Sequence, residues 1–114
     1  MELKGPGTLL RIYVGEQDRY KGIPLYEAII NKARELELAG CTIIRGIEGY
    51  GAATRTIHKS SILRLSDKLP VLIEIVDLEE KINSAVAKFE EIFDNCGKGV
   101  LMTLEKIQIL RYKK

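Results

Sequence analysis

The sequence predicts an α+β sandwich with its elements in the order β-α-β-β-α-β. Three observations support this prediction. Two stretches have the period of amphipathic helices, and a strand-like apolar segment precedes and follows each of them. No helical stripe lies between the second and third strand-like segments. A chain of 114 residues, 46% of them hydrophobic, has the length of one domain and enough apolar side chains for one core. We therefore expect a single domain over residues 1–114.

The first strand is predicted at residues 9–14, where apolar side chains share one face by alternation. The first helix is expected to open at Pro24, because proline has no N–H to leave unpaired in a first turn. Apolar residues then recur every three or four positions, and Gly40 is predicted to end the helix. The second strand, residues 41–45, follows at once.

The third strand is the clearest of the four, a run rich in aliphatic residues at positions 71–76. Asp77 is predicted to cap the second helix, with Glu80 completing a capping box. The helix presents an apolar face over residues 78–93. Residues 100–110 then form the last strand, or two short ones.

This order is typical of a ferredoxin-like sandwich, in which two helices cover one face of an antiparallel sheet. The alternative is a small parallel α/β fold, which needs a helical crossover between the second and third strands. Residues 51–68 carry no convincing helical stripe. The ferredoxin-like fold is therefore favoured.

The connection between Tyr50 and Leu69 is the feature that fits a compact domain least. It is 18 residues long, beyond the ~12–15 at which structureless connections become uncommon. Residues 49–66 contain no acid and carry a charge of +3, so the net charge of +2 leaves −1 for the rest of the chain. The protein is a nearly neutral body with one basic loop.

We predict that residues 51–68 form a long flexible loop that binds a partner. Ordering so many residues costs more free energy than its few apolar side chains return. Residues 52–60 are therefore expected to be mobile without a partner, and residues 62–65 to pack down or form a short strand. The expected contacts to a partner or a phosphate are Arg55, His58 and Lys59.

Two glycine-rich turns are candidates for approaching a phosphate through their backbone N–H groups. The segment GIEGYG at residues 46–51 has the spacing GxxGxG, which is not the dinucleotide fingerprint. The segment NCGKG at residues 95–99 places Lys98 between two glycines. Each also has a structural explanation: residues 46–51 as a twisted strand end, and residues 95–99 as an ordinary helix C-terminus. The two turns could meet across a subunit interface.

Catalysis, metal binding and RNA binding through the sheet receive little support. His58 is the sole histidine, no nucleophilic triad can be assembled, and one histidine with two distant cysteines fits no zinc spacing. An RNA recognition motif would place aromatic residues on its central strands, and only Arg45-Gly46 and Tyr13 match that pattern. No catalytic residue, metal or required cofactor is expected. A small enzyme and an RNA-binding module remain outsiders.

No apolar run approaches the ~18 residues of a membrane span, and the start of the chain lacks the apolar stretch of a signal peptide. Cys41 and Cys96 lie far apart in the sequence, which fits a reducing compartment. The net charge is too small to indicate nucleic acid. We expect a cytoplasmic protein without membrane insertion.

The sequence resembles an uncharacterised bacterial and archaeal family with a PII-like fold, within the superfamily of PII signalling proteins. Beyond the order of elements, four segments carry the resemblance: residues 11–16 (RIYVGE), 22–27 (GIPLYE), 45–51 (RGIEGYG) and 74–77 (EIVD). It covers most of the chain, roughly residues 9–110. It implies a homotrimer that pairs edge strands between subunits and holds adenine nucleotides in the clefts between them.

The resemblance also implies which residues meet the nucleotide. PII proteins carry a Gly-Phe-Gly at the base of their long loop, which Gly49, Tyr50 and Gly51 match here. Their Gly-Asp-Gly-Lys turn, which supplies backbone groups and a lysine to the phosphates, is matched imperfectly by the turn that contains Gly97 and Lys98.

Two departures from the PII pattern remove phosphate-facing cations. Ala52 and Ala53 stand where PII proteins have Arg-Gln. Gln108 and Leu110 stand where they have the paired arginines of the last strand, and Arg111 is displaced by one residue. The implied function is a PII-like regulatory protein that binds AMP or another small adenine nucleotide in preference to ATP. It would contact an unknown protein target, with a membrane transporter as one candidate, through residues 51–68. The alternative is a structural trimer without a small ligand.

Overall fold

The computed structural model of the chain describes residues 2–51, 54–59, 69–96 and 99–113. The strands are β1 (Glu2–Gly15), β2 (Arg19–Tyr20), β3 (Ile23–Pro24), β4 (Gly40–Arg45), β5 (Glu48–Gly51), β6 (Thr54–Lys59), β7 (Pro70–Asp77) and β8 (Leu101–Lys113). The helices are α1 (Leu25–Glu35) and α2 (Glu79–Asp94).

Four strands form one antiparallel sheet in the order β4-β7-β1-β8. The two helices pack on one face of this sheet, as the predicted ferredoxin-like sandwich requires. Two small hairpins, β2–β3 and β5–β6, stand outside the main sheet. The predicted fold class is confirmed. β4 and β8 are the two edge strands of the sheet.

The core lies between the helices and the face of the sheet that they cover, here called the covered face. Alternation brings every second residue of β1 and β7 to this face, where aliphatic side chains meet the apolar stripes of the helices. The largest fully buried side chains are Leu10, Ile12, Leu25, Ile29, Ile73, Ile75, Ile82 and Phe89. The remaining residues of the same strands point to the opposite face, here called the open face.

The first helix ends earlier than predicted. It stops at Glu35, and Gly40 begins β4 instead of ending the helix. The N–H of Glu37 donates to the carbonyl of Arg34 (3.0 Å) and that of Leu38 to Ala33 (3.1 Å), the two bonds of a Schellman motif. Glu37 occupies the left-handed position of that motif, with φ of 58°. Glycine is usual at this position, so the prediction that Gly40 ends the helix was wrong.

Asp77 is not the helix cap that the capping-box pattern predicts. It ends β7, and α2 begins at Glu79 after Leu78, with no side-chain capping bond. Its buried carboxylate accepts the N–H of Ala39 (2.9 Å) and that of Leu78 (2.6 Å). Asp77 thus joins the connection before β4 to the start of α2.

The remaining differences concern strand lengths. β1 begins at Glu2, well before the predicted residue 9, and the last strand is one continuous element. Within the expected loop, β6 pairs with β5, which the β-branched residues of its TRTIHK sequence favour. Residues 52–53 and 60–68, including the segment expected to pack down, lie outside the described residues. The predicted mobility of the loop stays a prediction.

Candidate functional site

The glycine-rich segment after β4 lies against the start of β7. The N–H of Gly46 donates to the carbonyl of Pro70 at 2.7 Å. A Cβ atom on Gly46 would lie 2.8 Å from the Pro70 ring, and one on Gly49 would lie 3.1 Å from it. Both glycines are therefore needed for close packing, which supports their structural explanation. Gly51 differs, because a Cβ there would meet nothing within 4 Å.

The other side of this segment faces outward. Tyr50 is 62% exposed and Ile47 is 77% exposed. Exposure of two large side chains to water is unfavourable for an isolated domain. They therefore mark a surface that a ligand or a partner can cover. The ring of Tyr50 can stack on a planar base.

The β5–β6 hairpin brings two groups of predicted contacts together. Gly49 pairs with His58, and Glu48 pairs with Lys59, in the backbone register. Arg55 lies in the same strand. The three residues expected to contact a partner or phosphate thus belong to the strand that runs alongside the glycine segment.

The strand that follows the second predicted turn, β8, forms the other edge of the sheet. Arg45 at the end of β4 pairs with Val71, and Tyr13 near the end of β1 pairs with Leu101 at the start of β8. The end of β4 and the start of β8 thus lie at the same end of the sheet, three strand spacings apart, or about 14 Å. Gly97 and Lys98 fall outside the described residues.

An ion pair that the sequence analysis missed lies beside the glycine segment. Arg45 contacts the carboxylate of Glu16, which follows β1. Oε1 of Glu16 is buried and has no hydrogen-bond partner in the described part of the chain. Arg45 itself is mostly exposed, and a guanidinium next to glycines is suited to bind an anion. The sequence does place opposite charges at the ends of two predicted strands, but the ion pair could be predicted from them only with the strand order known.

The described residues contain no other group with evident chemistry. No cluster of three or more histidine, cysteine or acidic side chains within them could hold a metal ion. Burial raises the pKa of the Cys41 thiol, which disfavours the reactive thiolate. A cleft of about 220 Å³ lies at the opposite end of the sheet and contains none of the predicted site residues. Neither helix in the described ranges is long and apolar enough to cross a membrane.

Comparison with known sequences decides the family. The model of the DUF190 family, whose description is "Uncharacterized ACR", matches residues 7–109. This chain belongs to the DUF190 family. A UPF0166 protein of Aquifex aeolicus is 38% identical over 102 residues, which cover 90% of this chain and 91% of the relative.

Comparison with solved structures confirms the PII-like fold of the DUF190 chain. CPII, a nitrogen regulatory PII-like protein from Thiomonas intermedia bound to ADP, AMP and bicarbonate, superposes with a TM-score of 0.67 at 16% identity, over 96% of this chain and 91% of CPII. A phage SAM lyase in complex with S-methyl-5'-thioadenosine superposes with a TM-score of 0.52 at 19% identity, over 96% and 90% of the two chains. The fold therefore occurs both in a regulator and in an enzyme.

Proposed function

We propose that this DUF190 chain is a cytoplasmic PII-like regulatory protein that forms a homotrimer and binds a small adenine nucleotide between its subunits. AMP or a cyclic nucleotide is favoured over ATP. The observation that supports the proposal is that the end of β4, which leads into the first glycine-rich segment, and the start of β8, which follows the second, lie at one end of the sheet and on its opposite edges.

This placement favours a site shared between copies. About 14 Å separates the two edge strands, which is more than one phosphate group spans. When the β8 edge of one copy approaches the β4 edge of another, the two turns come together. Gly49 and Gly51 would then allow close backbone approach, and Lys98 would pair with a phosphate.

The exposed side chains beside the glycines suit the rest of a nucleotide. Tyr50 offers an aromatic surface to the base, and Arg45 offers a guanidinium to an anion. Ala52 and Ala53 add no cation. A site with few cations favours a ligand with one phosphate over one with three.

The β5–β6 hairpin and the residues up to 68 are the proposed contact with a protein target. Arg55, His58 and Lys59 would engage the target or a phosphate, and their excess of positive charge favours an acidic partner surface. A membrane transporter is one candidate class of target.

The experiment is titration calorimetry of the pure protein with ATP, ADP, AMP and cyclic AMP. We expect micromolar binding of AMP or cyclic AMP at one site per chain. Lys98→Ala should weaken that binding by about one to two decades, because a charge-assisted hydrogen bond contributes ~1.5–3 kcal/mol. Lys88→Ala, on the exposed side of α2, is the matched control and should leave the affinity unchanged. Silence across the four nucleotides would reject the nucleotide site and favour a structural trimer.

The similarity to a SAM lyase gives one specific reason to test for turnover. Incubation with S-adenosylmethionine and with each nucleotide, followed by chromatography, should return the compounds unchanged. Product formed in proportion to the amount of protein would favour an enzyme instead.

A further inference from the structure

The ion pair between Glu16 and Arg45 crosses one strand of the sheet, at the end where the glycine-rich segment lies. The strand β7 separates β4, which ends at Arg45, from β1, which Glu16 follows. Two strand spacings, or roughly 10 Å, lie between the two backbones. The contact joins Nη2 of Arg45 to Oε2 of Glu16. The two long side chains therefore extend toward each other across β7.

The backbone on each side of this ion pair is fixed by a hydrogen bond. The N–H of Glu16 donates to the carbonyl of Leu69 at 2.8 Å, and that of Gly46, the neighbour of Arg45, donates to Pro70 at 2.7 Å. Leu69 and Pro70 are consecutive, so both partners are attached to the same place, the start of β7. The two charges are therefore held at defined positions, as a binding site requires.

Stability does not account for the burial of Glu16. Its side chain is 15% exposed, whereas that of Arg45 is 60% exposed. An ion pair with an exposed partner contributes little to folding. A buried carboxylate oxygen without a hydrogen-bond partner, as Oε1 of Glu16 is within the described residues, costs free energy. Local arrangements that cost stability in this way are expected at functional sites.

The carboxylate of Glu16 changes the charge that Arg45 presents to a ligand. A guanidinium has five N–H donors, so Arg45 can hold Glu16 and still donate to a second anion. The adjacent carboxylate offsets much of its positive charge. Attraction to a site grows in proportion to the charge of an ion, whereas the cost of removing the ion from water grows with the square of that charge. A site with little net charge therefore favours a singly charged anion over a doubly charged one.

We propose that Glu16 is a positioning residue that determines specificity: it orients the Arg45 guanidinium and offsets its charge, so that the site selects a phosphodiester over a phosphomonoester. This inference rests on the proposed function and narrows its ligand class. A phosphomonoester such as AMP carries a charge of about −1.5 to −2 at pH 7, whereas the phosphodiester of cyclic AMP carries a single negative charge. Cyclic AMP is therefore the favoured ligand of the two.

The test is the ratio of the affinities for cyclic AMP and AMP, measured by titration calorimetry at pH 7 and constant ionic strength. The wild-type protein should bind cyclic AMP about tenfold more tightly than AMP. Glu16→Gln keeps the shape of the side chain but removes its charge, and should shift the ratio about tenfold toward AMP. Arg45→Gln removes the cation instead, and should weaken AMP binding more than cyclic AMP binding. If circular dichroism shows that Glu16→Gln is unfolded, the ratio in Arg45→Gln decides the test.

Glu35→Gln is the matched control, because it removes one carboxylate from the Lys32–Glu35 ion pair at the far end of α1. It should keep the wild-type ratio. A merely structural role of Glu16 would lower both affinities together and leave the ratio unchanged. That result, a shifted ratio in the Glu35 control, or tighter binding of AMP than of cyclic AMP by the wild type would overturn this inference and leave the nucleotide site standing. An absence of binding of both nucleotides to the wild type would reject the proposed function, and this inference with it.

Discussion

The two faces of the sheet are built from the same strands but differ in burial. On the covered face, Leu10, Ile12, Ile73 and Ile75 have no exposed surface and belong to the hydrophobic core. On the open face, Ile44, Tyr13 and Leu101 remain in contact with water. Beside them, Arg11 forms ion pairs with Glu74 and Glu105. The covered face completes the fold within one chain. The open face leaves part of its apolar surface in contact with water.

The strongest way to break this comparison is to damage the covered face. Phe89 of α2 packs against this face and has no exposed surface. Phe89→Ala should therefore lower the free energy of unfolding by ~3–5 kcal/mol, because removal of the ring leaves a cavity in the core. Leu101→Ala on the open face, measured at a concentration where the chain is monomeric, should cost only about 0.5 kcal/mol. Denaturant titration of both variants checks the pair. Equal losses would show that the open face is part of the folding core.

The buried carboxylate of Asp77 tests the next largest effect. Asp77→Ala removes the acceptor for the N–H groups of Ala39 and Leu78 and should cost ~2–3 kcal/mol of unfolding free energy. Asp77→Asn keeps one acceptor oxygen and should lose less. If denaturant titration gave the same loss for both variants, the hydrogen bonds would not be the cause.

The glycines after β4 separate stability from binding. Gly46→Ala should destabilise the chain by about 1–3 kcal/mol, because its Cβ would lie 2.8 Å from the Pro70 ring. Gly51→Ala should leave stability within about 0.5 kcal/mol, since nothing lies within 4 Å of the added atom. The proposed function predicts that Gly51→Ala nevertheless weakens AMP binding in calorimetry. Unchanged affinity would remove Gly51 from the site.

The smallest effect lies on the exposed side of α1, away from both faces. A hydrogen bond from Lys32 lowers the pKa of the Glu35 carboxyl. A group whose pKa is lower in the folded state adds stability above its unfolded pKa of about 4.3 and loses it as the pH falls. Wild type should therefore exceed Glu35→Gln in thermal stability at pH 7, and the difference should disappear in acid. A difference that grew on acidification would contradict the pairing.

The sequence predicts one face of this protein much better than the other. Alternation in β1 and β7 and the periodic stripe of the helices are local signals, so the covered face and the order of elements follow from them. The end of α1 at Glu35 was not predictable, because Glu37 occupies a position where glycine is usual. The role of Asp77 depends on Ala39, a residue distant in sequence.

The candidate site was predictable only in part. The motif resemblance predicts Gly49, Tyr50 and Gly51 as site residues, and the structure shows Tyr50 exposed and open space where a Cβ atom on Gly51 would lie. The Glu16–Arg45 pair could not be predicted without strand order and register, which no local pattern contains. Interactions across strands are set by tertiary structure, and a single sequence does not reveal them.

The central claim is that a nucleotide site is completed when the β8 edge of one copy approaches the β4 edge of another. Its most direct test is AMP titration, by calorimetry, of the wild-type protein at chain concentrations above and below the one at which its mass in solution falls to that of one chain. The account predicts micromolar binding at one site per chain in the assembled protein and at least a hundredfold weaker binding in the monomer. Equal affinity in the two states would show that one chain holds the whole site, and would contradict the account.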